Sequence, residues 1–225
     1  MRGYDPVVFD LDGTVVDTVE LIRRSFRYAT RTVLKQELPD AEIMAFVGQP
    51  LMAQMQQISA EHAQELYDVY RDYNHRLHDE LIRGYSGMAE ALAGLREAGK
   101  RLGLVTSKGA DTTAMAFRVV PLRQYFDVVV TADDTVEHKP RPAPILVCLE
   151  RLGSNANGAI YIGDSPHDVA AGKAAGVATA GVTWGLFSAA DVRAAQPDIV
   201  LTSPAQIVPL CTAGQVPRVD HGEEA

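Results

Sequence analysis

Short apolar runs rich in β-branched residues recur along this chain, and stretches with helical patterns separate most of them. The runs predict buried parallel strands at residues 6–9, 102–105, 128–130, 159–162, 177–182 and 199–201. Apolar residues at helical spacing predict helices at residues 88–98 and 144–152, each followed by a glycine that ends it. The alternation predicts an α/β fold, with a Rossmann-like parallel sheet core and helices on both faces.

One long segment interrupts this alternation. Between residues 17 and 84 there is no strand pattern, and apolar residues follow helical spacing in residues 19–33 and 66–81. We therefore predict a core of residues 1–16 and 85–210, with an α-helical cap of residues 17–84 inserted after the first strand. Such a cap can act as a lid that excludes water from a reactive site. The polar residues 211–225 are predicted to form a flexible tail.

Composition narrows the classes of function. The chain has 225 residues, and its 21 Lys and Arg against 29 Asp and Glu give a net charge of −8. This balance argues against a broad nucleic-acid or anionic-membrane surface. No apolar run approaches the ~20 residues that span a bilayer, and the N-terminus has no pattern of a secretory leader. We expect a cytoplasmic protein, monomeric or homodimeric, without nucleic-acid or membrane partners.

Polar residues follow the predicted strands at their carboxyl ends, where open parallel sheets bind ligands. Three carboxylates, Asp10, Asp12 and Asp164, would repel one another unless a cation lay between them, and Mg²⁺ prefers such oxygen ligands. The hydroxyl groups of Thr106 and Ser107 can donate to phosphate oxygens. Lys139 supplies positive charge, the main requirement of phosphoryl transfer. These residues predict phosphoryl chemistry on a small anionic substrate.

Four motifs occur here in the order typical of the haloacid dehalogenase superfamily. They are the DxDGT at Asp10, the Thr106-Ser107 pair, the Lys139-Pro140 pair and the GDxxxD at Asp164. The helical insert resembles the small cap of the subgroup that contains phosphoglycolate phosphatase, β-phosphoglucomutase and pyrophosphatase members. Residues 46–51 and 73–80 resemble most the bacterial pyrophosphatase branch.

The resemblance implies a role for each matching residue. Asp10 is expected to attack phosphorus and to bind Mg²⁺, and Asp12 to act as general acid and base. Asp12, through its backbone carbonyl, and Asp164 complete the implied metal ligands. Thr106, Ser107 and Lys139 are expected to hold the phosphoryl group, and Asp168 to lie behind the ligands, near Lys139 or the metal-bound waters.

Other readings of these residues stay open at this point. Asp168 and Ser165 fit a capping box with Pro166 at the first helical position, and Thr106 and Ser107 could cap the following helix. His75 and His78 are spaced for a shared metal ion but lack a third ligand, which favours a helix-surface or substrate-facing role.

Asp12 distinguishes several candidate classes of enzyme. A dehalogenase would not need that carboxylate or a metal ion, and a P-type ATPase would carry lysine there together with membrane spans. A phosphomutase shares every core motif. We expect an Mg²⁺-dependent phosphohydrolase that forms an aspartyl-phosphate, with pyrophosphate as the first candidate substrate and phosphoglycolate or another small phosphorylated metabolite as the alternative.

Overall fold

The computed structural model describes residues 3–214, except for the side chains of residues 45 and 46. The strands are β1 (Val7–Phe9), β2 (Val16–Asp17), β3 (Arg83–Gly84), β4 (Leu102–Val105), β5 (Val128–Val130), β6 (Ile160–Gly163), β7 (Ala178–Val182) and β8 (Ile199–Leu201). The helices are α1 (Val19–Val33), α2 (Asp40–Phe46), α3 (Leu51–Ile58), α4 (Ala63–Leu81), α5 (Met88–Glu97), α6 (Ala110–Val119), α7 (Ala143–Arg151), α8 (Pro166–Ala175), α9 (Ala189–Ala194) and α10 (Ile207–Ala213).

Six strands form a parallel sheet in the order β5-β4-β1-β6-β7-β8. The predicted α/β fold is therefore confirmed, and most strand ends lie within one residue of their predicted positions. β1 lies between β4 and β6, and Phe9 pairs with both Leu104 and Ile162. The strand order reverses at β1, so the crevice at its carboxyl end is the expected ligand site.

Both faces of the sheet are covered, which explains why the strands read as continuous apolar runs. Val7 and Phe9 face one buried cluster with residues of α5, α6 and α10, whereas Val8 faces a second cluster with residues of α7 and α8. The alternation follows from the two-residue period of a strand. Within residues 3–214, no helix is both long and apolar enough to cross a bilayer.

The four helices α1–α4, called the cap below, have a hydrophobic cluster of their own. Phe26, Met55 and Leu66 are fully or almost fully buried in it, and α1 packs along α4. Leu186, from outside the cap, belongs to the same buried cluster, and its neighbour Phe187 packs against it. The cap therefore has an internal core and an apolar contact with the loop after β7.

A two-stranded antiparallel ribbon, which the sequence did not predict, lies where the chain enters and leaves the cap. Val16 pairs with Gly84 and Asp17 with Arg83, so β2 and β3 lie at the two ends of a segment in which no strand was expected. Strands of two residues are too short to show the alternation of buried and exposed side chains that identifies a strand.

The C-terminal end also differs from the expectation. A flexible tail was predicted from residue 211, but Cys211 lies in α10 and is fully buried, and its carbonyl accepts a hydrogen bond from Tyr4 N at 2.8 Å. The apolar face of α10 packs on the core and extends the ordered chain. The rest of the predicted tail, residues 215–225, lies outside the described residues.

Candidate active site

The Asp10 side chain lies at the carboxyl end of the central strand. Its backbone N–H continues the ladder beyond β1 by donating to Ile162 O at 2.8 Å, which fixes the direction in which the side chain leaves the sheet. The residue is buried, with 5% of its surface exposed. This carboxylate is therefore held at the crevice between β4 and β6, as its position in the sequence predicts.

Lys139 contacts Asp10 from the loop that follows β5. Its Nζ lies 2.7 Å from Asp10 Oδ1, 2.7 Å from Asp168 Oδ1 and 3.3 Å from the Tyr161 hydroxyl. An ammonium group has three N–H donors, and all three have partners here. The ammonium is thus fixed beside Asp10, where it can offset negative charge on a bound phosphoryl group.

Asp164 joins Asp10 and Asp168 in a buried group of carboxylates whose oxygens lie within 4.8 Å of one another. Burial, followed by its acidic neighbours, raises the pKa of Asp164, and burial raises the pKa of Asp10 to about 7 despite Lys139. The pKa of Asp168 is lowered instead: burial acts against its charge, but Lys139 and Ser165 outweigh burial. The lysine thus compensates one carboxylate fully and leaves two negative charges uncompensated when all three ionise.

This donor set fits Mg²⁺. Two uncompensated negative charges on closely spaced carboxylate oxygens match a hard divalent cation that prefers oxygen ligands. Asp164 is positioned for such a role, since its Oδ2 accepts a hydrogen bond from Leu186 N at 2.6 Å. The backbone packs tightly around it: a Cβ at Gly13 or at Gly185 would lie 2.2 Å from the same oxygen.

The side chain of Asp12 lies apart from this acidic group. Its Oδ1 accepts from Lys108 Nζ at 2.6 Å, and the carboxylate is 19% exposed, more than the 8% of Asp10. The metal ligand that was predicted at this residue is its backbone carbonyl and not this carboxylate. The two aspartates of the motif therefore have different surroundings, one buried beside Lys139 and one facing the crevice.

Thr106 and Ser107 follow β4 on the other side of β1. Thr106 is buried, and its Oγ1 accepts from Lys108 N at 3.1 Å, which leaves its hydroxyl hydrogen for another acceptor. Ser107 Oγ instead donates to Gly48 O in the cap at 2.9 Å. Neither residue caps the next helix, because α6 begins after Gly109. Ser107 thus links the core to the cap here.

Asp168 has both of the roles that its sequence allows. Its N–H donates to Ser165 Oγ at 3.1 Å and its Oδ2 accepts from Ser165 N at 3.0 Å, which is the predicted capping box. Its other oxygen accepts from Lys139. The start of α8 therefore fixes the carboxylate that holds the lysine.

Two residues at the site were given no role from the sequence. Lys108 lies directly after the Thr106-Ser107 pair at the end of β4. This position in the sequence could have predicted that Lys108 belongs to the site. Tyr161 lies inside the apolar strand β6, where the sequence pattern predicts only a packing role in the core. Its hydroxyl nevertheless contacts Lys139 and Asp168. The pair His75 and His78 forms no metal group in the described part of the chain, and His78 Nδ1 lies 2.7 Å from Asp79 Oδ1.

A cavity of about 380 Å³ lies between this group of residues and the cap. Asp10, Asp12, Thr106, Lys139 and Asp164 line it from the core. The cap closes the other side with residues of α1, α3 and α4 and with the loop around Gly48. A small molecule bound to the core residues would therefore lie directly against cap side chains.

Gly48 is the point at which the cap loop touches the core, and we expect Gly48→Ala to lower kcat/KM about 10-fold or more. The glycine has a φ of +106°, and a Cβ there would lie 2.7 Å from His167 Cδ2. Alanine would push the loop away from His167 and from Ser107 and so misplace the cap wall. Steady-state kinetics on the best substrate would measure the loss.

Gly99→Ala is the matched control, because Gly99 also has a positive φ, +72°, but has open space where a Cβ would be added. It imposes similar backbone strain without the contact, so its kinetics should remain near those of the unaltered protein. Equal kinetics in the two variants would contradict a role for the Gly48 contact.

Comparisons with known proteins agree on the family of this chain. The model of the haloacid dehalogenase-like hydrolases matches residues 7–182. A protein from Bacillus velezensis named pyrophosphatase PpaX is 40% identical over 195 residues, 87% of this chain and 90% of its own, and a Bacillus cereus protein of that name is 36% identical over 204 residues, 91% and 94% of the two chains.

Solved structures share the fold. A predicted phosphatase from Clostridium acetobutylicum superposes with a TM-score of 0.80 at 27% identity, covering 92% of this chain and 97% of its own. A predicted phosphoglycolate phosphatase from Haemophilus somnus gives 0.79 at 22% identity, covering 93% and 99%. With the acidic motifs gathered at the end of β1 and the family model matching most of the sequence, this chain belongs to the haloacid dehalogenase-like hydrolases.

Proposed function

We propose that this protein is an Mg²⁺-dependent phosphohydrolase in which Asp10 attacks phosphorus. The observation that carries the proposal is the position of the Asp10 carboxylate, which lies at the cavity beside the Lys139 ammonium, 2.7 Å away, and within the acidic group. A carboxylate nucleophile next to a fixed cation suits phosphoryl transfer, in which positioning and charge compensation provide most of the rate.

The proposed reaction has two steps. An Asp10 oxygen forms a bond to phosphorus while the bond to the leaving oxygen breaks, and Asp12 gives its proton to the leaving group. Asp12, now ionised, takes a proton from water, whose oxygen attacks the aspartyl-phosphate and releases inorganic phosphate. Asp10 is thereby restored as a carboxylate and Asp12 as an acid. Overall, one water is consumed for each bond cleaved.

Three groups of residues support these steps. Lys139, Thr106 and Ser107 are proposed to bind the oxygens of the transferred phosphoryl group. Asp10, Asp164 and the backbone carbonyl of Asp12 are proposed to hold Mg²⁺, which when bound supplies positive charge against the phosphoryl oxygens. Asp168 keeps Lys139 in place through the 2.7 Å contact.

Pyrophosphate is the substrate that we propose first, because the curated relatives at 35–40% identity carry the name pyrophosphatase. Both products would then be inorganic phosphate. Phosphoglycolate and other small phosphorylated metabolites are the alternative, since the cavity of about 380 Å³ leaves room for an organic leaving group.

A phosphate-release panel tests the proposal. Pyrophosphate, phosphoglycolate, sugar phosphates and nucleotides would each be incubated with Mg²⁺ and, in parallel, with EDTA. We expect release from at least one small substrate, with pyrophosphate the fastest, and loss of release in EDTA that Mg²⁺ restores. Turnover independent of metal would contradict the mechanism, and conversion of a hexose 1-phosphate into the 6-phosphate would favour a mutase.

A further inference from the structure

One face of α4 forms the cap wall of the cavity. Tyr67, Tyr70, Arg71 and Asn74 all line it, and positions three, four and seven residues apart lie on one side of a helix. Asp12 lines the same cavity from the core, so this face lies across the cavity from Asp12. Since Asp12 is the proposed proton donor to the leaving group, the α4 face borders the leaving-group side of the cavity.

The two walls of the cavity differ in charge. The core contributes two ammonium groups, those of Lys108 and Lys139, but five carboxylates, those of Asp10, Asp12, Asp111, Asp133 and Asp164. Among the cap residues that line it, as far as the structure describes them, none is acidic. Their polar groups are three carboxamides, two phenols, one imidazole and the guanidinium of Arg71. The cap wall is therefore suited to an anion, whereas the core side needs a cation.

The Arg71 guanidinium has no hydrogen bond and no ion pair with any residue of the described part of the chain. Its Cζ lies 5.5 Å from the centre of the Tyr67 ring, so the aromatic ring supports it without using its N–H donors. A planar fork of free donors at a cavity matches a phosphate or carboxylate group, which it can bind with two parallel hydrogen bonds.

His75, one helical turn after Arg71, adds a second free group. Its Nε2 is buried and has no hydrogen-bond partner among the described residues, although an unsatisfied buried polar atom is costly. The residue lines the same cavity, and the charge of Arg71 acts on it, after burial, to lower its pKa. In either protonation state the ring carries at least one N–H, which can donate to an anion bound at this wall.

We propose that Arg71, supported by His75, binds a second anionic group on the leaving side of the substrate, and so selects substrates of the class phosphoanhydride or phosphorylated carboxylic acid. This inference rests on the proposed phosphohydrolase function and defines its substrate class. The transferred phosphoryl group lies against Lys139 on the core, and the second anion lies against the cap. A monoester whose leaving group has no such anion leaves the guanidinium unpaired.

The test compares Arg71→Met with the unaltered protein on three substrates: pyrophosphate, phosphoglycolate and p-nitrophenyl phosphate. We expect kcat/KM to fall about 10- to 100-fold for whichever of the first two is turned over, and to change less than about 2-fold for p-nitrophenyl phosphate. His75→Gln should show the same selectivity with a smaller loss. A different loss on pyrophosphate and on phosphoglycolate identifies which second anion the site prefers.

Arg76→Met is the matched control, because Arg76 lies on α4 but stacks over Tyr28 and Tyr73 and does not line the cavity. It should leave all three substrates unchanged. Equal losses for Arg71→Met on all three, or no loss on any, would overturn the subsite while leaving the phosphohydrolase function intact.

Binding tests the subsite without turnover. In protein carrying Asp10→Asn, calorimetry with pyrophosphate and Mg²⁺ should show at least about 10-fold weaker binding when Arg71→Met is added. Unchanged affinity would overturn the inference even if no member of the substrate panel were hydrolysed. Absence of metal-dependent hydrolysis in the unaltered protein would instead count against the proposed function.

Discussion

Asp10→Asn is expected to reduce phosphate release by at least about 1,000-fold. Catalytic residues that act together lose most of their combined effect on the rate when the nucleophile alone is removed. The amide has nearly the same shape as the carboxylate but does not attack phosphorus. Lys139 keeps Asp168 and the Tyr161 hydroxyl as partners, so the fold should be retained. Phosphate release on the best substrate, with thermal melting of the same sample, measures both outcomes.

Asp12→Asn provides the comparison for this result. It leaves the nucleophile intact but removes the acid and base, so the second step should become slow and the aspartyl-phosphate should accumulate. Intact mass spectrometry after brief exposure to substrate should detect the added phosphoryl group in this variant and none once Asp10→Asn is added. Near-normal activity of Asp10→Asn, or a phosphoryl adduct on it, would be incompatible with Asp10 as the nucleophile.

Lys139→Met is expected to lower the free energy of unfolding by about 3–5 kcal/mol, the range found when one partner of a buried ion pair is removed. The ammonium is the charge partner of both Asp10 and Asp168, and the three side chains are no more than 8% exposed. Methionine fills much of the volume but leaves these carboxylates facing each other. Urea denaturation in metal-free buffer measures the loss, and phosphate release should fall as well.

Lys108→Met is the control, because the Lys108–Asp12 pair has a similarly short distance, 2.6 Å against 2.7 Å, at higher exposure, 15% and 19%. Water can solvate the remaining Asp12 carboxylate, so we expect a loss of less than about 1 kcal/mol. Adding Asp168→Asn to Lys139→Met should recover part of the stability, since it removes one unpaired charge. If the two lysine variants were equally stable, the prediction that breaking the buried Lys139 pairs costs more than breaking the Lys108–Asp12 pair would be wrong.

The sequence predicts most of the sheet and the crevice because both depend on short-range patterns. Val7 to Phe9 form an apolar run that ends at Asp10, and similar runs end at Thr106 and Asp164, so parallel pairing alone brings the three residues to one edge. The capping box of Ser165 and Asp168 is equally local, and the structure contains it as predicted.

Long-range contacts were less predictable. No local pattern indicates that the Ser107 hydroxyl donates to Gly48 O, fifty-nine positions away along the chain. Tyr161 shows only a strand pattern in the sequence, and its hydroxyl gains a role because Lys139 arrives from another loop. The ribbon of β2 and β3 depends on the cap bringing its two ends together. Each depends on packing between distant segments, which periodicity does not encode.

Leu186 belongs to two parts of the molecule at once. Its N–H donates to Asp164 Oδ2 in the acidic group, and its side chain packs in the hydrophobic cluster of the cap. A movement of the cap that pulled on this residue would shift a carboxylate proposed to hold the cation. By thermodynamic linkage, a substrate that closes the cap and tightens cation binding must itself bind more tightly, by the same factor, when the cation is present. Substrate and metal would then be cooperative ligands of this protein, coupled through Leu186, which joins the cap cluster to the Asp164 carboxylate.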